Sequence, residues 1–156
     1  MPKVGDLEYF GEDMSDHEWG TSTSAACCLK IMAYLMKDEI LDPVIDHAGG
    51  LTVSDSPQDR YVGLLTLGAV IDGPSKNAIR DKFRPALEVL FQLLDDQHPK
   101  VRENSAWMFN VLVEASPELF DVPDQFKSLV DRIGTALRSD KVVGGKMCQF
   151  IAEFAH

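Results

Sequence analysis

Apolar residues recur along the chain every three or four positions, in successive stretches that short polar turns separate. This spacing is typical of helices that bury one face. Seven helices are predicted from it, at about 24–37, 39–48, 57–71, 77–94, 99–115, 123–137 and 140–156. No stretch carries the alternating pattern of a β-strand, so the sequence predicts an all-α fold.

Local signals mark where these helices begin, bend and end. Pro57 and Pro99 stand at predicted first turns, where the missing N–H of proline leaves no hydrogen bond unmade. Pro85 lies inside an apolar helical pattern, so a kink is expected there. Gly49-Gly50 is expected to close the second helix. In the first helix the predicted apolar positions are Ala26, Leu29, Ile31, Met32 and Leu35.

The predicted helices form pairs that repeat along the chain. Corresponding positions of the inner helices recur at roughly 38 to 43 residues, close to the period of HEAT and armadillo repeats. The stretch 99–107 has the pattern of a second HEAT helix, with a small residue just before an apolar run. The sequence therefore predicts a HEAT-repeat α-solenoid, a superhelical stack of antiparallel helix pairs.

The domain organisation predicted from this pattern has two parts. Residues 1–20 are acidic and are expected to form a flexible leader or loop, and residues 21–156 are expected to hold about three to four repeats. Neither end carries the polar capping repeat that a solenoid needs. The chain is therefore interpreted as a segment of a longer protein.

Charge narrows the class of partner. The chain has 25 acidic and 15 basic residues, a net charge of −10, which disfavours nucleic acids and anionic membrane surfaces and favours a basic partner. No apolar run is long enough to span a membrane, and no signal peptide is visible. Cys27, Cys28 and Cys148 lack the spacing of a disulfide framework, which indicates reduced thiols in the cytosol or nucleus.

Several short motifs, taken in order, resemble one known family. The run Asp-Met-Ser-Asp-His-Glu-Trp at 13–19, followed by Ser-Ala-Ala-Cys-Cys-Leu at 24–29, looks like the acidic loop of importin-β and the helix after it. The motifs at 38–40, 72–74 and 101–107 match the same family at matching spacing. The resemblance covers nearly the whole chain and implies the central repeats of an importin-β (karyopherin-β) receptor.

The resemblance implies a nuclear import receptor that shuttles between cytoplasm and nucleus through the nuclear pore. Its concave surface would bind the basic importin-β-binding helix of the adaptor importin-α, or a basic nuclear-localisation cargo, and Ran-GTP would displace it. Nucleoporins would bind through parts of the receptor outside this segment. Neither a cofactor nor a metal is implied.

The resemblance also assigns a set of partner-binding residues. The expected acidic loop holds Asp13, Asp16, Glu18 and Trp19, and the remaining members are Trp107, Asn110, Glu114 and Gln149. A family tryptophan would fall at Gln149, so the chain departs from the family there. Periodicity alone places Trp107 in the core, and only the resemblance turns it towards a partner.

Other functions remain as alternatives. Another HEAT or armadillo scaffold or adaptor without a transport role would share the repeat period but not the acidic loop that ends in Trp19. His17 between Asp16 and Glu18 is expected to be a solvated loop histidine rather than a metal ligand, because three consecutive residues cannot easily surround one ion. No nucleophile or phosphate-binding motif is present, so catalysis by a small helical enzyme is disfavoured.

Overall fold

The fold consists of helices joined by short turns. The computed structural model describes residues 16–121, 127, 130–132, 134–135 and 140–154, and these ranges contain no strand. The helices are α1 (Asp16–Met36), α2 (Leu41–Thr52), α3 (Pro57–Ala69), α4 (Lys76–Phe83), α5 (Leu87–Leu93), α6 (Pro99–Ala115) and α7 (Lys141–Phe154). Turns of 3₁₀ helix lie at Lys37–Ile40, Arg84–Ala86 and Pro117–Phe120. The predicted all-α fold is confirmed.

The helices form two layers. In the inner layer α3 packs between α1 and α6, and α6 packs between α3 and α7. In the outer layer α2 packs on α3, and α4 and α5 pack on α6. This alternation of inner and outer helices is the arrangement that the repeat period predicts.

Polar side chains define where helices begin. Ser56 Oγ accepts a hydrogen bond from the Asp59 amide at the start of α3, and Ser75 Oγ accepts one from the Ala78 amide at the start of α4. Such bonds satisfy amide groups that have no partner within the helix. The kink expected at Pro85 is also confirmed, since a 3₁₀ turn separates α4 from α5 there.

A single main core joins the two layers. Its largest side chains are phenylalanines, and the rings of Phe91 in α5 and Phe109 in α6 stack with centroids 5.1 Å apart. Phe120 lies 6.1 Å from Phe109, measured between ring centroids. These contacts fix α6 against the outer layer and so determine which face of α6 remains accessible.

Two arginines connect successive turns of the solenoid in the same way. Arg60 is the fourth residue of α3 and Arg102 the fourth of α6. Arg60 Nε lies 2.7 Å from Asp96 Oδ2, and Arg102 Nη2 lies 2.8 Å from Asp140 Oδ2. Each arginine also donates to a carbonyl of the turn before its own helix, at Ser54 and Asp96 respectively.

Both carboxylates in these pairs have a pKa below the usual range. Burial by itself raises the pKa of Asp96, but the hydrogen bonds from Arg60 and from the His98 amide outweigh burial and lower it. The pKa of Asp140 is lowered chiefly by the hydrogen bond from Arg102. Asp140 Oδ1 also accepts hydrogen bonds from the amides of Val142 and Val143 at the start of α7.

Helix boundaries differ from the prediction at two places. Helix α1 begins at Asp16 rather than after residue 20, so the helix extends into the predicted acidic leader. Helix α2 continues through Gly49 and Gly50 to Thr52, because neither glycine takes the positive φ with which a glycine closes a helix. The predicted helix at 123–137 lies largely outside the described residues, and those described within it are helical.

The burial of α1 also corrects the prediction. Ala26 is buried, whereas Ile31, Met32 and Leu35 are exposed, with 57%, 47% and 73% of their surface accessible. The physical reason is that α1 packs chiefly on α3 and on the 3₁₀ turn at Lys37–Ile40, so only one side of α1 is covered.

No helix among the described residues has both the length and the apolar character needed to span a membrane.

Candidate protein-binding face

One side of α6 is only partly covered by the neighbouring helices and carries most of its polar side chains. We call it the α6 face and define it as Lys100, Glu103, Trp107, Asn110 and Glu114. These residues are spaced by three or four positions, so they follow one line along the helix. Glu114 is exposed and the other four are partly buried. The face therefore combines one aromatic ring, two carboxylates, an ammonium group and an amide.

Trp107 lies against the neighbouring inner helix. A β-carbon built on Gly68 of α3 would fall 2.3 Å from both Cη2 and Cζ3 of the indole, so the ring occupies the space that a side chain would need. Trp107 also packs on a small apolar cluster of Ala26, Leu65 and Ala69. The ring is therefore neither fully core nor fully displayed.

Two asparagines flank Trp107 and connect α6 to both neighbours. Asn104 Nδ2 donates to the Tyr61 carbonyl of α3 at 3.2 Å, and Asn110 Nδ2 donates to the Lys146 carbonyl of α7 at 3.0 Å. Each leaves a buried Oδ1 without a hydrogen-bond partner among the described residues. The amide that was predicted to bind a partner at Asn110 thus contributes to packing within the inner layer.

Charged groups meet at the beginning of the α6 face. Glu103 Oε2 lies 3.5 Å from Lys100 Nζ, and Glu103 Oε1 lies 3.3 Å from Lys146 Nζ of α7. Tyr61 of α3 lies close enough to both groups for their charges to affect its pKa. The pKa of Tyr61 is raised overall, chiefly by burial, while the charge of Lys100 lowers it and the charge of Glu103 raises it.

The structure brings together three of the predicted partner-binding residues, since Trp107, Asn110 and Glu114 share the α6 face. Asp13 lies outside the described residues. The backbones of Asp16, Glu18 and Trp19 belong to α1 and that of Gln149 to α7, but their side chains are outside the described set.

Sequence reasoning missed Glu103 and Lys146. Glu103 precedes Trp107 by four positions, and this spacing on a helix could have placed it on the same face. Lys146 reaches Glu103 from a different helix, so no local signal in the sequence marks it.

The outer layer contains a small apolar cleft of about 100 Å³ between α2 and the α4–α5 pair. Its lining includes Ile45, Val53, Phe83 and Val89, and among the described residues that line it Lys82 alone is ionisable. In the ranges that the structure describes, no group of three or more His, Cys, Asp or Glu residues could hold a metal ion.

The geometry defines the class of protein as a helical-repeat solenoid of the HEAT type, with a candidate binding face on its inner layer. No family model matches the chain. The curated relatives include importin subunit beta-1 of Saccharomyces cerevisiae, which is 28% identical over 119 residues, or 76% of this chain and 14% of that protein. Importin subunit beta-1 of Schizosaccharomyces pombe is 27% identical over 96 residues, or 62% of this chain and 11% of that protein.

Solved structures of similar fold superpose on most of this chain. A complex of Kap95 with Nup1 superposes with a TM-score of 0.81 at 23% identity, over 96% of this chain and 17% of that one. A structure of Kap95p bound to RanGDP superposes with a TM-score of 0.82 at 24% identity, over 97% of this chain and 18% of that one.

The sequence relatives confirm the resemblance to the importin-β family that the motifs indicate, and the structural neighbours share the fold. The chain spans about one seventh or less of the length of these curated relatives.

Proposed function

We propose that this chain acts within a nuclear transport receptor of the importin-β type, and that its inner layer binds a basic helical segment such as the importin-β-binding helix of importin-α. A basic nuclear-localisation cargo has the same chemistry and is covered by the proposal. The receptor would shuttle between cytoplasm and nucleus.

The arrangement of Trp107 between two carboxylates on one helix carries this proposal. Glu103 precedes Trp107 by four residues and Glu114 follows it by seven, so all three lie on the same side of α6. An indole face attracts a guanidinium or ammonium group by about 0.5–1 kcal/mol at exposed sites and by more when water is excluded. Carboxylates at either end supply charge-assisted hydrogen bonds to the same kind of group.

The net charge of −10 supports the proposal at longer range. An acidic surface raises the rate at which cationic partners associate, and salt weakens the effect because charges are screened over about 8 Å at physiological ionic strength. The acidic stretch predicted at Asp13, Asp16, Glu18 and Trp19, of which residues 16–19 belong to α1, would add to this attraction. Gln149 would contribute a neutral amide where the family has a tryptophan.

The neighbours suggest two further partners. Kap95 forms a complex with Nup1, and Kap95p binds RanGDP. We include binding of Ran and of a nucleoporin in the proposed function of the receptor to which this segment belongs. For the nucleoporin, parts of the receptor outside this segment are the expected site.

A titration of the full chain with a fluorescein-labelled, Arg-rich helical peptide tests the proposal. Glu114→Gln should weaken binding by about two- to five-fold, the size of one exposed ion pair. Glu88→Gln is the matched control, because Glu88 is also an exposed carboxylate but lies on α5 of the outer layer. Binding should also weaken as salt is raised.

Two results would contradict the proposal. One is equal affinity for the helical peptide and for a scrambled peptide of the same composition, which would show attraction by charge alone. The other is equal weakening by Glu114→Gln and Glu88→Gln. Either would favour a HEAT or armadillo scaffold without a transport role.

A further inference from the structure

We propose that Lys146 is a built-in competitor for the bound cation: its ammonium group occupies the Glu103 carboxylate when no partner is present and lowers the affinity of the α6 face for basic segments. The inference rests on the proposed function, since it concerns how the same face is regulated.

The geometry of the ion pairs supports this role. Lys146 extends from α7 across to α6 and places Nζ 3.3 Å from Glu103 Oε1, while Lys100 places its own Nζ 3.5 Å from the other carboxylate oxygen. Both oxygens of Glu103 therefore face an ammonium group of the chain itself. The side chains of Lys146 and Glu103 retain 22% and 26% of their exposure, so water and a ligand can reach the pair.

The position of Glu103 makes this competition relevant to binding. Glu103 lies one helical turn before Trp107, so a cation resting on the indole would come close to the same carboxylate. Glu103 cannot attract that cation at full strength while Lys146 remains, because the nearby positive charge also repels it.

The pair is weak enough to exchange. Partly exposed lysine–carboxylate pairs contribute little to stability, so displacing Lys146 from Glu103 has a small energetic cost. A guanidinium group can form two parallel hydrogen bonds to a carboxylate and is less strongly hydrated than an ammonium group. An arginine of the partner is therefore the group best suited to replace Lys146.

The anchoring of α7 keeps the competitor in place. The carbonyl of Lys146 accepts the hydrogen bond from Asn110 Nδ2, so the backbone that carries the lysine is fixed to α6 at the same residue. Lys146 can then swing its side chain away from Glu103 without moving the helix, and charge neutralisation of this lysine would strengthen binding without rebuilding the face.

The test compares Lys146→Met with Lys82→Met in titrations with the fluorescein-labelled, Arg-rich helical peptide. Lys82 forms an ion pair with Asp42 on the outer layer, so both substitutions remove one positive charge and one lysine–carboxylate pair. Lys146→Met should tighten binding by about two- to five-fold, and Lys82→Met should change it far less. When Glu103→Gln is added to Lys146→Met, the increase in affinity for the peptide should disappear.

The outcomes separate this inference from the proposed function. If the unmodified chain binds the helical peptide in preference to a scrambled one, but both lysine variants bind with the same affinity, the competitor role is overturned and the proposed function stands. If Lys146→Met tightens binding equally with and without Glu103→Gln, the competitor role is also overturned. Absence of binding by every variant would overturn both proposals.

Discussion

The indole ring of Trp107 lies in the place where residue 68 would carry a side chain, with Cη2 and Cζ3 each 2.3 Å from the position of a β-carbon on Gly68. Gly68 belongs to α3 and Trp107 to α6, so this contact connects two inner helices of adjacent repeats. The absence of a side chain at 68 allows the two helices to enclose the ring. The same contact determines how much of Trp107 remains for a partner.

Gly68→Ala should destabilise the chain by about 1–3 kcal/mol, because the new methyl group overlaps a rigid ring that cannot shift without moving a helix. The fluorescence of Trp107, measured in a Trp19→Phe background, should move to longer wavelength as the ring is pushed into water. Urea unfolding monitored by circular dichroism gives the free energy of unfolding.

Gly50→Ala provides the control for this change. Gly50 also lies in a helix, but a β-carbon there has nothing within 4 Å. Alanine is the better helix former, so stability should stay the same or rise by up to about 1 kcal/mol. Equal effects of the two substitutions would mean that the Trp107–Gly68 contact does not constrain the solenoid.

Trp107→Ala should lower the free energy of unfolding by about 2–3 kcal/mol, less than the roughly 3–5 kcal/mol typical of a fully buried aromatic. The reason is that Trp107 packs on two apolar clusters but retains partial exposure. Trp107→Phe should retain most of the stability and still weaken peptide binding. A loss of less than about 0.5 kcal/mol on Trp107→Ala would contradict the packing of Trp107 on these two clusters.

Some features of this fold could be predicted from the sequence because they depend on neighbouring residues. Pro57 and Pro99 begin α3 and α6 as expected, and Pro85 interrupts its helix, since proline restricts its own backbone wherever it stands. The burial of Phe83, Phe91 and Phe109 likewise follows the spacing of apolar residues within their own helices.

Features that depend on distant residues could not be predicted. Trp107 meets Gly68 across 39 positions of sequence, and Glu103 meets Lys146 across 43, so periodicity indicates the face but not what lies opposite. The exposure of Ile31 and Leu35 likewise depends on what packs beside α1, which their own spacing does not reveal.

Acid should destabilise the chain through Asp96 and Asp140. The pKa of each carboxyl is lowered in the folded state, so each contributes stability above the unfolded value of about 3.9, and this stability is lost as the pH falls through the lower folded value. The free energy of unfolding should therefore fall steeply below about pH 4.

The double variant Asp96→Asn, Asp140→Asn should be less stable at neutral pH and should lose less stability between pH 5 and pH 3, a window set by the usual carboxyl pKa of about 3.9. Asp46→Asn, at an exposed position on α2, is the control and should retain the steep loss. Urea unfolding at a series of pH values measures the free energy of unfolding of the double variant and of the control. An unchanged pH profile in the double variant would show that other groups control acid unfolding.

Lys37→Gly should raise the free energy of unfolding by up to about 1 kcal/mol, because Lys37 has a φ of 56°, a left-handed conformation that glycine adopts without the steric penalty of a side chain. Lys37 Nζ lies 4.2 Å from the centroid of the Tyr34 ring, and the substitution also removes this contact. Lys37→Ala removes that contact as well but keeps a β-carbon, so it should be less stable than Lys37→Gly. Thermal unfolding of both variants beside the unmodified chain measures the difference, and a glycine variant no more stable than the alanine variant would show that the turn after α1 is not strained.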